Sequence, residues 1–306
     1  DLLQISMADK KLIVVFGASG AQGGSVANAI SKDPKYRLRL VSRKVDNPKF
    51  KEYIDKGAEV VSADQDDPAS LVKALEGAYG CFIVTNFFTF MDGARETTQG
   101  INTVKAANQC GVQHIIFSGL ENCKRRFNME VPHFDSKGRV EDFLEENKYP
   151  FTSVRVAYYF ENFVNILPPQ KIAENTYVMN IPIGNTPLAA IALSDVGPCV
   201  LRVFNNRDKY LGKFIGLAGD ELPVSKYAEI LGKAFPEKTF SQGNITVEEY
   251  MKLPFPGADD IGAMFAMLAT GKAIRSVADS KQLHPDMLDF QTWLTANKDK
   301  MAAALK

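Results

Sequence analysis

KLIVVFGASGAQGGSVANAI, residues 11–30, decides how the rest of the chain is read. Leu12 to Phe16 form a continuous apolar run, the pattern of a strand buried on both faces of a parallel sheet. Gly17 ends that run, and Gly17, Gly20 and Gly23 stand at G-x-x-G-x-x-G spacing. Each has a task that a side chain would obstruct. The first permits a tight turn, the second lets backbone approach a pyrophosphate, and the third lets the next helix sit close to the sheet. Val26, Ala27 and Ile30 give that helix an apolar face, and its unpaired N–H groups and positive dipole end would meet the phosphates. The strand before and the helix after lift the stretch above a bare glycine pattern. The bland alternative is a strand-to-helix turn that binds nothing.

At 306 residues the chain can bury one large domain, or a main domain with a smaller companion. Its 36 basic and 36 acidic residues cancel, so long-range charge favours neither nucleic acid nor an anionic membrane as a partner. No apolar run approaches the ~20 residues that span a bilayer. The opening DLLQISM lacks the basic and apolar regions of a secretory signal and reads as a remnant or unstructured tail, with Met7 as the natural start. Cys81, Cys110, Cys123 and Cys199 form no C-x-x-C pair and fit reduced thiols in a cytoplasmic protein. With only His114, His133 and His284 as imidazoles and no C-x-x-C pair, no metal site is expected.

Strand and helix signals then alternate. Tyr36 to Ser42 reads as a second strand and is followed at once by Arg43 and Lys44. An NAD-preferring site would carry an acidic residue there, about 20 residues past the glycines, to bind the ribose 2′-hydroxyl. A guanidinium or ammonium attracts a 2′-phosphate instead, so NADP(H) is the expected cofactor; otherwise the pair is a solvated turn. Ala58 to Ser62 makes a third strand, and Asp64 and Gln65 after it either contact the adenine or belong to the N-cap cluster of a helix from Pro68 to Glu76. Cys81 to Val84 forms a fourth strand that ends in Thr85, Asn86, Phe87 and Phe88, where ribose, phosphate or nicotinamide contacts, or plain core packing, are expected. A helix from Arg95 to Cys110 is closed by Gly111. His114 to Phe117 is a fifth strand, Lys124 to Val131 a basic loop, Pro132 to Asn147 a helix and Phe151 to Val156 a sixth strand.

This alternation predicts an α/β fold, a doubly wound parallel sheet covered on both faces. The second half is less regular. Around Tyr177 to Ile183 it has one β-like stretch; Ser194 to Phe204 reads as a helix capped by Ser194, and Phe214 to Leu217 as a return strand. From Glu221 onward helices dominate, and the methionines of Ile261 to Leu268 read as core filler. The expected organisation is a Rossmann-type domain over residues 10–157 with return elements at about 190–219. Residues 158–189 and 220–306 would form a smaller, mainly helical second domain.

The segments VVFGASGAQGGSVA, GAEVVSADQDD, FIVTN, FSGLEN, HFDSKG, TSVR, YFEN and FPGADD, spread from Val14 to Asp260, resemble the NmrA-like family, an atypical branch of the short-chain dehydrogenases/reductases that includes NADP(H)-responsive regulators. The resemblance implies a Rossmann domain and a smaller domain with a cleft between them. It implies that Gly17, Ala18, Ser19, Gly20, Ala21, Gln22 and Gly23 hold the pyrophosphate. Arg43, with Lys44 beside it, would hold the 2′-phosphate, and Asp64 and Gln65 would lie near the adenine. Thr85, Asn86, Phe87, Lys137, Tyr159, Phe160, Glu161 and Asn162 would line the nicotinamide end. It further implies a regulatory protein partner, admits a homodimer, and fits a cytoplasmic protein for which the nucleus is also open. Ser19 replaces the threonine frequent in relatives but keeps the hydroxyl, and the bulky basic loop 124–131 is a second departure.

Active members of the wider superfamily use Tyr-x-x-x-Lys on one helix, where the lysine lowers the phenol's pKa so that it can deliver a proton as hydride arrives. None of the ten tyrosines has a lysine four residues later. The corresponding place reads His133 to Lys137, so Lys137 would keep the lysine's second role of holding the nicotinamide ribose, and a histidine stands where the acid should be. Two readings stay open. In one, cofactor occupancy itself is the signal, selecting between conformations that differ in partner affinity. In the other, His133 donates the proton of an NADPH-dependent reductase of a quinone or small carbonyl compound, with Ser118 polarising the carbonyl. Structurally, a histidine there is a surface or core residue, and a serine at a strand end satisfies backbone groups.

Overall fold

The computed structural model describes residues 10–305; the opening DLLQISM lies outside the described residues. The chain divides into two compact units. One comprises the described residues up to Asn122 together with Asp135–Arg155 and Val196–Ile215. The other comprises Cys123–Phe134, Val156–Asp195 and the residues from Gly216 on.

The first unit is built on the strands β1 (Lys11–Phe16), β2 (Tyr36–Ser42), β3 (Glu59–Ser62), β4 (Gly80–Ile83), β5 (His114–Ser118) and β6 (Phe151–Val156), joined at one edge by β11 (Phe214–Leu217). The seven strands lie in the order β11-β6-β5-β4-β1-β2-β3. Every pairing from β6 to β3 is parallel. β1 pairs with β2 on one side and β4 on the other, so the direction of winding reverses beside it, and the crevice outside the carboxyl end of β1 is where such sheets take ligands. The apolar runs are what a two-faced sheet requires: Ile13, Val14, Val15, Ile115, Ile116 and Phe117 are fully buried.

Two helices of this unit begin at an aspartate that caps them. α1 (Ala21–Ser31) follows β1, and α2 (Lys51–Asp55) is a single turn between β2 and β3. α3 (Pro68–Leu75) is capped by Asp67, whose side chain accepts from Ala69 N–H at 3.1 Å, with proline in the first turn. α4 (Gly93–Gln109) is capped by Asp92, which accepts from Ala94 and Arg95 N–H, and Gly111 closes it at φ +70°. α5 (Cys123–Phe127) and α6 (Pro132–Glu146) follow β5, and α8 (Leu193–Asn205) and α9 (Arg207–Tyr210) precede β11. Gly197 of α8 packs directly on the backbone of Ser25 in α1, where any Cβ would collide, and its N–H donates to Ser25 Oγ at 3.0 Å.

Three expectations need correction. The stretch 124–131 is not all loop, because Cys123–Phe127 winds into one helical turn. Ser194 does not cap its helix, which already includes Leu193. The second half has more strand than its sequence pattern announces, in two three-stranded sheets. One is ordered β12-β10-β7, from Asp220–Leu222, Leu188–Ile191 and Tyr158–Tyr159, and the other β13-β9-β8, from Thr239–Gln242, Thr176–Met179 and Gln170–Ala173. The helices of this unit include α7 (Asn162–Asn165), α10 (Val224–Ala234), α11 (Val247–Tyr250), α12 (Ala258–Ala269), α13 (Val277–Leu283), α14 (Phe290–Ala296) and α15 (Lys298–Ala304). Its core is aromatic: Phe160, Phe163, Tyr227, Phe290 and Trp293 are buried in one cluster, against which the half-buried Met264 packs; Met267 is fully buried as well. Among the described residues no helix is long and apolar enough to cross a membrane, and no disulfide joins the four cysteines.

Candidate functional site

The glycine loop has the geometry its spacing predicts. Gly17 sits at φ +67°, outside the usual range of L side chains, and its carbonyl accepts from Gly20 N–H at 2.9 Å. A Cβ on Gly23 would run into the carbonyls of Gly17 and Phe16, so α1 can lie this close to the loop only with glycine there. Gly20 caps α1 in an extended conformation, no side chain caps the helix, and its first turn holds no acidic residue. No side-chain cap therefore competes with an outside acceptor at the start of this eleven-residue helix, and no carboxylate in its first turn would repel an anion. Ala18 is buried, Ser19 half-buried and Ala21 exposed. Gln22 Oε1 accepts from Ser118 Oγ at 2.6 Å, tying the end of β5 to the start of α1.

Around this loop the charge is positive. Arg43 and Lys44 are exposed at the end of β2, in a turn where Ser42 Oγ accepts from Lys44 N–H at 3.1 Å. Lys49 was not singled out by its sequence context, yet its Nζ donates to the carbonyl of Ser19 at 3.0 Å. It belongs to a single 3-10 turn, Pro48–Phe50, whose start is capped by Asn47; the Asn-Pro pair is the local signal that could have placed it. Asp64 and Gln65 follow β3. Asp64 Oδ1 accepts from Asp66 N–H at 3.0 Å, building the turn before the true cap, Asp67. The Gln65 amide points inward, donating to Thr103 Oγ1 at 3.2 Å. Asp66, held below its ordinary carboxylate value chiefly by hydrogen bonds from Arg95, also feels the charge of Arg43.

At the end of β4, Thr85 and Phe87 are buried and Asn86 is exposed. Lys137 Nζ is mostly buried there and donates to Thr85 O at 2.9 Å, Thr85 Oγ1 at 2.8 Å and Glu96 Oε1 at 2.6 Å. Its three protons therefore have three protein acceptors. Glu96, from α4, also accepts from Thr85 Oγ1 at 2.7 Å and from Ser136 Oγ, which makes this buried carboxylate the hub of the network. Ser118 is buried with its proton directed at Gln22, so it links elements and aims no donor at an outside carbonyl.

In the second unit, His133 stands in the first turn of α6, buried, with Nδ1 2.5 Å from Asp260 Oδ2. Its backbone N–H donates to Asp260 Oδ1 at 3.0 Å, so one carboxylate fixes both the ring and the start of the helix. Asp260 lies in the quoted FPGADD segment, but nothing local in the sequence marks it as a partner of His133. Of the four residues from Tyr159 to Asn162, two have their side chains committed to the core. Phe160 is fully buried against Phe290 and Trp293. Glu161 accepts from Leu193 N–H at 3.1 Å and Trp293 Nε1 at 3.1 Å, and burial holds its carboxyl above the ordinary value. What Phe160 and Glu161 can offer a ligand is backbone; Tyr159 and Asn162 keep half-buried side chains. Burial also pushes the Tyr158 phenol far above its ordinary value and the Tyr250 phenol up to about 12, which keeps both protonated.

Known proteins share both sequence and fold with this chain. An NmrA-like family domain-containing protein of Dictyostelium discoideum is 28% identical over 243 residues, covering 76% of this chain and 80% of that one. Two Aspergillus relatives named NmrA-like oxidoreductases are 29% and 32% identical, and the match spans 49% of the length of each. The structure of NmrA, a negative transcriptional regulator in complex with NADP, superposes with a TM-score of 0.81 at 18% identity, over 96% of this chain and 98% of that one. The NADPH-dependent quinone oxidoreductase QOR2 of Escherichia coli, complexed with NADPH, superposes with a TM-score of 0.78 at 19% identity, over 93% and 99%. Residues 9–294 match the NmrA-like family, to which the chain therefore belongs.

Proposed function

We propose that this protein binds NADP(H) and acts as a redox-sensing regulatory protein, in which occupancy of the site shifts the balance between conformations that differ in affinity for a protein partner. The observation that carries the reading is the state of Lys137. Its ammonium is used up on Thr85 and Glu96, and no phenol stands one helical turn before it to receive the activation that a dehydrogenase lysine provides. Binding needs none of that apparatus. The backbone from Gly17 to Gly23 and the open end of α1 would hold the pyrophosphate. Arg43 and Lys44 would hold the 2′-phosphate, and Asp64 and Gln65 would lie beside the adenine. Thr85, Asn86 and Phe87 would bound the nicotinamide end, where Lys137 keeps the β4 terminus rigid. NADP in the related regulator and NADPH in the related quinone oxidoreductase support this choice of cofactor. A sensor of this kind works only through unequal affinity of its two conformations for the ligand.

The test of the binding mode is Arg43→Glu. In calorimetry it should weaken NADPH binding by about tenfold and NADH binding much less, since only the former presents a phosphate to the guanidinium. Equal weakening of both removes the 2′-phosphate assignment.

One observation favours a second reading, an NADPH-dependent reductase of a quinone or small carbonyl compound. His133 is held at Nδ1 by a buried carboxylate, the arrangement that orients an imidazole for proton transfer. Bound NADPH supplies hydride; His133 would give its proton to the substrate oxygen. Turnover on a quinone panel well above background, lost in His133→Ala with NADPH affinity retained, selects the reductase over the sensor. No turnover, together with a protease digestion pattern that changes on addition of NADPH, selects the sensor.

A further inference from the structure

A cavity of about 730 Å³ opens at the amino-terminal ends of the central strands, the edge of the sheet opposite the glycine loop. Its residues begin strands or directly precede them. Lys11 opens β1, Lys35 and Tyr36 lie at the start of β2, and Tyr79 and Gln113 stand immediately before β4 and β5. The end of α8 and the short α9 complete the wall. Six residues of β1 separate this cavity from Gly17, on the order of 20 Å of extended chain.

The floor is aromatic and the rim cationic. Tyr36 and Phe204 are buried with ring centroids 6.3 Å apart, and Lys11 Nζ lies 4.0 Å from the centre of the Tyr79 ring. Lys35 Nζ reaches only the amide oxygen of Asn205, at 3.3 Å, and Lys209 lies over Tyr210. Among the described residues none of these three ammonium groups has a carboxylate in ion-pairing range. Arg207 is occupied by Gln113 O at 2.8 Å and Asp208 at 3.1 Å. The carboxylates present are Asp208 and Asp33, and Asp33 already accepts from Asn205 Nδ2 at 3.0 Å. Asp33 also accepts from Lys35 N–H at 2.9 Å, and Arg207 and Lys209 offset the negative end of α8, so Lys11 and Lys35 are the rim cations that neither an ion pair among the described residues nor a helix end engages.

We infer that this amino-end cavity docks an acidic peptide segment of a partner protein, its carboxylates on Lys11 and Lys35 and an apolar side chain on the floor of Tyr36, Tyr79 and Phe204. A small-molecule pocket encloses its ligand in mostly apolar walls, whereas this cavity is open and rimmed by long flexible cations, which suits an extended chain. Nucleic acid would need a positive track that follows the backbone over several nucleotides, whereas these cations are gathered on the rim of a single cavity. The inference does not rest on the nucleotide reading, since none of these residues belongs to the glycine loop or its cations.

Fluorescence anisotropy of a labelled Glu-rich peptide bearing one Phe, titrated with the intact protein at low ionic strength, tests it. Lys11 and Lys35 are exposed, so their reversal leaves the core intact. The double variant Lys11→Glu/Lys35→Glu should bind the peptide about tenfold more weakly, and Tyr79→Ala several-fold more weakly. NADPH affinity should be unchanged in both. Reversal of Lys226 and Lys233, exposed on α10, should leave peptide binding as it was. The inference is overturned by any of four results: no binding to the unmodified protein, undiminished binding to the double variant, equal loss in the α10 control, or tighter binding of a single-stranded oligonucleotide or inorganic polyphosphate than of the peptide.

Discussion

Individual side chains here are governed by burial more than by their formal charge. His114 is fully buried at the start of β5, with Nε2 2.8 Å from Thr152 Oγ1. Desolvation, reinforced by the charge of Arg207, lowers its pKa from 6.5 to about 4. The unfolded chain takes up a proton in this window and the folded one refuses it. The stability contributed by this group is therefore complete above pH 6.5 and is lost as the pH falls toward about 4, with a slope of at most ~1.4 kcal/mol per pH unit. Replacing His114 with Gln removes the titration while leaving an amide near Thr152. The difference between urea midpoints at about pH 7.5 and about pH 5 should shrink in the variant. If it stays the same, the acid sensitivity belongs to other groups. The same scale shows what a sequence conceals. Lys137 was recognisable by its spacing behind His133, but its counter-ion Glu96 lies 41 residues away on another helix, and only folding brings the two together. His133 and Asp260 are separated by 127 residues, so the pair that would orient a proton donor has no local signature.

Elements were legible where local pattern and burial agree. β1, β2, β6 and β11 fall where the sequence places them: β1 is apolar throughout its buried length because it is enclosed on both faces, and β2 alternates apolar and polar residues as its buried and half-buried positions alternate. The strands of the second unit obey no such constraint. β7 has only two residues, β8 is exposed along its whole length, and β9 finds its partner β13 far along the chain, Thr176 opposite Thr239. Segments this short, paired at that separation, carry too little periodicity to be read. The unit most completely encoded is β1, its loop and α1, and it fails in a predictable way. In Gly23→Ala the new methyl group meets backbone carbonyls that cannot rotate aside, so α1 must move off the loop. This should cost about 1–3 kcal/mol of stability and weaken NADPH binding by more than about tenfold. Gly20→Ala meets only Gly17 O, at 3.2 Å, and should cost less stability. Thermal melts and calorimetry on the two variants check the ranking; a Gly23→Ala protein that binds NADPH normally would show that the closeness of α1 to the loop is not what shapes the phosphate site.

At the scale of the molecule, each compact unit is assembled from three separate stretches of chain, and the changeovers fall inside α6, β6, α8 and β11 as well as before α5. A cut at residue 157 keeps the run of nucleotide-binding motifs and loses the return stretch that belongs to the same unit. The first unit also needs Val196–Ile215, which brings most of α8 and half of β11. Val196, Cys199, Val200, Val203 and Phe204 are buried to within 2% of full exclusion from solvent. Cutting the chain after Ala157 removes all five along with a strand that closes one edge of the sheet. At 25 cal/mol per Å², losing the burial partners of such a face costs several kcal/mol, comparable to the ~5–15 kcal/mol that holds a typical domain together. A chain ending at Ala157 should therefore lack a cooperative urea transition and show poor dispersion in proton NMR, although it retains the complete glycine loop, Arg43 and Lys137. NADPH should not rescue it at concentrations that saturate the whole protein, since ligand at a hundredfold excess over Kd adds only ~2.7 kcal/mol. A sharp, ligand-sensitive transition in the truncated chain would mean that the return segments adorn the nucleotide-binding unit, and that its fold is complete without them.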